Sequence, residues 1–118
     1  MVFPQCPEDS FWAVTKIDRT KQPFQIDFDY TSEPNWPLKA ANELVRKLIK
    51  EEGVDNSKVY ITGLSMGGMG TFESVYRYPE LYAAALPICG GGDVKLYDKR
   101  VNKTAFWIFH GAADAVVD

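Results

Sequence analysis

The chain has one histidine and two cysteines in 118 residues. Two thiols set no disulfide framework, and Cys6 and Cys89 read as small buried hydrophobes rather than as a bridge or a nucleophile. No cofactor-binding motif and no metal-ligating cluster is visible, so neither a cofactor nor a metal is expected. No apolar stretch approaches the ~20 residues of a membrane span. The start, Met1-Val2-Phe3-Pro4, has no basic region followed by a long apolar one. No signal peptide is therefore visible, and a chain that truly starts at Met1 reads as cytoplasmic. Without a secretion signal, Asn102-Lys103-Thr104 reads as a chance match to a glycosylation acceptor. A net charge of −3 argues against a nucleic-acid surface.

What is present is ordinary for a globular chain: 46% hydrophobic residues, 14% aromatic and 25% charged. The length allows one domain at most. Phe24 to Tyr30 alternates apolar and polar without a break, placing Phe24, Ile26, Phe28 and Tyr30 on one face of a half-buried strand. Phe11 to Ile17 is a candidate partner across a hairpin. Leu38, Ala41, Leu44, Val45, Leu48 and Ile49 recur at helical spacing, and Gly53 ends that helix. Three apolar strands follow, Val59–Thr62, Ala83–Ile88 and Ala105–Phe109, with a helix Met66–Tyr78 between the first two. Pro87 is a mild objection to the second strand. Buried strands alternating with amphipathic helices predict an α/β fold, a parallel sheet with helices on both faces. Helices Leu38–Glu52 and Met66–Tyr78 are expected on opposite faces.

The most informative run is Gly63-Leu64-Ser65-Met66-Gly67-Gly68. A G-x-S-x-G between a strand and a helix has the context of a nucleophile elbow. The turn holds the serine in a strained conformation, here expected at positive φ, and projects its hydroxyl above the sheet. Gly63 and Gly67 are expected to lack side chains because flanking side chains would clash. The helix that follows presents free backbone N–H groups to a developing oxyanion. Ser65 is the candidate nucleophile. Sites of open α/β sheets lie past the carboxyl ends of the strands. Asp114, past the third strand, is the candidate acid, with Asp93 in reserve and Asp118 weaker. His110 precedes Asp114. It reads as a buried structural residue of the acid loop, with the role of base as the alternative.

These residues resemble the α/β-hydrolase superfamily. The similarity is to microbial carboxylesterases related to feruloyl and acetyl xylan esterases, polyhydroxybutyrate-depolymerase-like enzymes and dienelactone hydrolases. It is carried by Pro4-Gln5-Cys6-Pro7, by Lys58 to Gly70, by Tyr78 to Ala85 with Pro87 to Gly91, and by Phe109-His110-Gly111 with Asp114. The resemblance implies Ser65 as nucleophile, Asp114 as acid, the Met66 backbone N–H as one oxyanion-hole donor and His110 as structural. The family's domain is about twice as long, so residues 1–118 read as a single, incomplete hydrolase domain. Its catalytic histidine would lie after Asp118.

Two functions follow as expectations. One is a serine carboxylic ester hydrolase acting through an acyl-enzyme on Ser65, with a small-molecule ester as substrate. The other is a non-catalytic or weakly active hydrolase fragment that self-associates. A peptidase of the prolyl-oligopeptidase type is a third option, disfavoured by the short chain and the lack of a propeller. A homo-oligomer is expected, because a partial sheet leaves the edge of the serine strand unpaired. Copies would pair through that edge or exchange Phe24–Tyr30. In a monomer that segment would take the place of the missing strand.

Overall fold

The computed structural model describes residues 1–97 and 101–117, and leaves the side chain of Asn102 aside. The alternating segment forms a hairpin, β1 (Thr15–Asp18) paired antiparallel with β2 (Gln25–Phe28) in the register Ile17 to Ile26. Phe24, Ile26, Phe28 and Tyr30 face inward while Gln25 and Asp27 are exposed. Residues 11–14, expected as strand, have other partners. The Val14 N–H donates to Glu73 Oε2 at 2.7 Å, and Asn35 Nδ2 donates to the Ala13 carbonyl at 2.9 Å. Side chains thus satisfy backbone groups that a strand neighbour would otherwise pair.

Helix α1 spans Trp36–Glu51, with Pro37 in its first turn, where a missing N–H costs nothing. Strand β3 (Tyr60–Leu64) leads into α2 (Met66–Arg77), and β4 (Ala84–Ile88) and β5 (Ala105–Phe106) complete a parallel sheet in the order β3-β4-β5. The third strand is shorter than its apolar run. Trp107 and Phe109 donate to the Ala85 and Pro87 carbonyls, and Cys89 donates to Phe109. That alternation requires a donor from residue 87 to the Trp107 carbonyl, and proline has none. The ladder breaks there and resumes only at the Ile88–Phe109 bridge.

The two helices were expected on opposite faces and share one. Asn42 Nδ2 on α1 donates to Ser74 Oγ on α2 at 3.0 Å, and Tyr82 Oη donates to Asn42 Oδ1 at 2.6 Å. Val45 and Ile49 pack on the cluster of Val75, Leu81, Tyr82, Ala85 and Val101. The handedness rule did not apply to α1, because β2 lies outside the three-stranded sheet and α1 is not a crossover within it. Among the described residues the other sheet face is open: Tyr60, Leu64 and Trp107 are 64%, 65% and 66% exposed. The hairpin does not pair with β3. Its Phe24 bridges instead to Val117.

The motif glycines differ from one another. A Cβ on Gly63 would lie 2.1 Å from the Gly67 carbonyl oxygen, whereas one on Gly67 would meet nothing within 4 Å. The expected clash therefore holds at Gly63 and not at Gly67. Gly67→Ala is expected to leave stability unchanged or raise it by up to about 1 kcal/mol through helix propensity. Gly63→Ala is expected to lose several times that, because backbone must move. Urea unfolding of the two variants checks the contrast.

Candidate active site

Ser65 sits where β3 ends and α2 begins, with φ 53° and ψ −113°. This is a left-handed conformation that side chains avoid unless the surroundings impose it. Here they do. The Ser65 N–H donates to the Ile88 carbonyl at 2.8 Å, and the Ser65 carbonyl accepts from Met69 N at 3.0 Å. One bond ties the residue to the neighbouring strand and the other commits it to the helix. The side chain is left exposed, at a helix end whose first-turn amides, Met66 among them, have no acceptor within the helix.

A second left-handed residue lies across from it. Cys89, just past β4, has φ 47°. The loop that follows is pressed against the start of α2: a Cβ on Gly68 would lie 2.8 Å from the Ile88 oxygen, and one on Gly90 2.6 Å from the Gly68 carbonyl carbon. Gly68 and Gly90, rather than Gly67, allow this approach. The left-handed turn at Cys89 was not legible from its own residue type. The run Gly90-Gly91-Gly92 was the available sign that backbone meets backbone here. Both cysteines are free thiols, Cys6 buried and Cys89 partly so. Burial raises the Cys6 pKa.

Asp114 lies in the loop after β5. Its Oδ1 accepts from the Val116 N–H at 2.9 Å and the Val117 N–H at 3.0 Å. These bonds, Val117's first, together with the nearby His110, hold its carboxyl below the usual carboxylate range. His110 Nε2 is 3.6 Å from Asp114 Oδ2 and hydrogen-bonds the Val117 carbonyl at 2.7 Å. A carbonyl only accepts, so Nε2 carries a proton directed at Val117. The expected bond to the acid-loop backbone is present. The expected burial is not, since the side chain is 28% exposed.

Ser65 and Asp114 follow β3 and β5, on either side of β4. The strands β3 and β5 themselves lie two strand spacings apart, roughly 9–10 Å. A cavity of about 300 Å³ lies on the acid loop, lined by His110, Gly111, Ala112, Asp114 and Val117, and Ser65 is not among its walls. Asp93 accepts from the Lys95 N–H at 3.2 Å, a local turn. Asp118 lies outside the described residues. Among the described residues no three His, Cys, Asp or Glu side chains gather to hold a metal. No helix among the described residues is long and apolar enough to cross a membrane.

The prolyl oligopeptidase family matches residues 33–116, a span that includes Ser65 and Asp114. The chain belongs to that family. A bifunctional acetylxylan esterase/xylanase of Neocallimastix patriciarum is 28% identical over 92 residues, 78% of this chain and 13% of that protein. Poly(3-hydroxyalkanoate) depolymerase C of Paucimonas lemoignei is 39% identical over 49 residues, 42% of this chain and 12% of its own. Acetylxylan esterase A of Aspergillus awamori is 36% identical over 64 residues, 54% of this chain and 21% of its own. A crystal structure of a thermostable esterase superposes with a TM-score of 0.74 at 39% identity, covering 96% of this chain and 27% of that one. The prolyl oligopeptidase family member described here thus has the α/β-hydrolase fold of esterase-type hydrolases, and spans about an eighth to a quarter of the proteins it matches.

Proposed function

We propose that this segment carries the nucleophile and acid of a serine carboxylic ester hydrolase. The observation that supports it most is the conformation of Ser65, left-handed between strand β3 and a helix N-terminus, with its own N–H taken up by Ile88. Ser65 Oγ attacks the ester carbonyl and passes its proton to an imidazole. The carbonyl oxygen gains charge beside the Met66 N–H. The alcohol leaves with that proton, and water then releases the acid from the acyl-serine. Asp114 steadies the imidazole. His110 does not supply that ring, because its Nε2 proton is directed at Val117. The imidazole comes from outside these 118 residues. A fluorophosphonate is expected to label the chain at Ser65, located by peptide mass spectrometry. Labelling elsewhere overturns the assignment.

The open sheet face favours a second reading alongside the first, self-association. Tyr60, Leu64, Trp107 and Phe109 are large, apolar and exposed, and β3 has no further strand beside it among the described residues. Covering such side chains is worth about 1.5–3 kcal/mol each. Copies meeting through β3 would pair its free edge, and copies meeting face to face would bury these side chains. Sedimentation at micromolar concentration is expected to show a dimer or higher oligomer, and Leu64→Lys with Trp107→Lys to shift it to monomer. A monomeric parent chain sinks this reading.

A further inference from the structure

The hairpin touches both halves of the candidate site, although neither strand of it belongs to the parallel sheet. Phe24 pairs with Val117 as a parallel bridge, and the Phe24 N–H donates to the Val116 carbonyl at 3.2 Å. Val117 is 4% exposed and shares a cluster with Ala13 and Met69, on which Ile26 and Phe28 pack. Met69 is the residue whose N–H donates to the Ser65 carbonyl. The loop after β4 abuts the same cluster, since a Cβ on Gly91 would lie 3.1 Å from the Phe28 ring and 3.9 Å from a Val117 methyl.

The base of the hairpin is fixed separately. Glu73 on α2 accepts the Val14 N–H at 2.7 Å, and the Asp29 N–H donates to the Val14 carbonyl at 3.1 Å. A two-stranded hairpin is marginal by itself in water, so this one owes its order to these attachments. It is held to the nucleophile helix at one end and to residues 116–117 at the other. Those two residues supply both N–H groups that hold Asp114 Oδ1.

We propose that the β1–β2 hairpin is a positioning clamp: it sets the placement of Asp114 relative to Ser65 by pinning Val116 and Val117 against α2. What the placement serves rests on the hydrolase reading above, while the clamp itself is a statement about geometry. Phe24, Ile26 and Phe28 act through Val116 and Val117 and are positioning residues rather than catalytic ones.

Phe24→Pro removes the donor to Val116, and Val117→Ala thins the shared cluster. Val45→Ala, in the other cluster, controls for a general loss of stability. The first readout is the titration of the Asp114 carboxyl by carbon-detected NMR. In both clamp variants its midpoint is expected to rise toward the ordinary carboxylate value, and in Val45→Ala to stay put. The second readout is Ser65-dependent ester turnover with added imidazole. Added imidazole is only loosely held, so the clamp variants are expected to lose at most a few-fold in kcat there, with little change in KM. An Asp114 midpoint unmoved in the folded clamp variants overturns the proposal. If Phe24→Pro does not fold, Val117→Ala decides. A parent chain with no Ser65-dependent turnover defeats the hydrolase reading, and the titration then still decides the clamp.

Discussion

Ser65→Ala is expected to remove the turnover of p-nitrophenyl acetate that added imidazole supports, by on the order of 10²–10⁴-fold. The magnitude follows from what a complete serine site loses. Deleting the nucleophile of a full triad costs roughly 10⁶ in kcat, and a positioned base contributes about 10²–10⁴ of that. Free imidazole in place of a positioned ring forfeits the second factor and leaves the first. The comparison must be the difference between parent and variant at each imidazole concentration, since imidazole hydrolyses this ester unaided. His110→Gln is expected to leave the difference nearly intact, because its ring faces the Val117 carbonyl. Equal turnover by parent and Ser65→Ala defeats the assignment.

The largest expected loss of stability lies a little over two turns further along the same helix. Glu73 is completely buried, and Arg77, also largely buried, donates from Nε to Glu73 Oε1 at 2.6 Å and from Nη2 to the Ser32 carbonyl at 2.7 Å. Removing one partner of a buried pair strands the other, at a cost of about 3–5 kcal/mol. Arg77→Ala is expected to lose that much at neutral pH, whereas Glu73→Gln keeps an acceptor for Val14 and loses less. The pH dependence separates the two further. Burial above all raises the Glu73 pKa, against the pull of Val14 and Arg77. A carboxyl whose midpoint rises on folding contributes most below its unfolded midpoint, and that stability is lost as pH climbs through the folded one. The deficit of Arg77→Ala should therefore shrink at acidic pH, where Glu73 is neutral, and grow above it. Glu73→Gln should remove this dependence. Urea titrations across pH 4–8 test both, and a pH-independent Arg77→Ala deficit would show that Glu73 does not titrate as argued.

Periodicity alone located the elements whose partners are local. The apolar spacing from Leu38 to Ile49 and the unbroken alternation from Phe24 to Tyr30 name a helix and a strand, because each pattern matches one buried face. The turn at Ser65 was legible for a similar reason, since its glycine, strand and helix are adjacent in the chain. What escaped the sequence depends on distant groups. Residues 11–14 have strand composition, but Glu73 and Asn35 capture their backbone. Trp107 to Phe109 look like a continuous strand until Pro87, on the neighbouring chain segment, withholds a donor. Gly67 matches the motif, yet the space beside it is empty, and Gly68 and Gly90 make the close approach instead. The contact of Phe24 with Val117 joins residues from opposite ends of the chain, and nothing local announces it.

Pro87 has a mechanical consequence. The seam between β3 and β4 is a continuous zipper, five residues matched to five. The seam between β4 and β5 is a row of separate rivets beyond Phe106, since proline leaves the rung to Trp107 empty. A zipper resists until it opens as a whole, whereas rivets fail one at a time. Under load, the segment bearing Asp114 would peel from the sheet before the segment bearing Ser65 moved at all. The segment bearing Ser65 is thus built into the body of the protein, and the segment bearing Asp114 is fastened onto it.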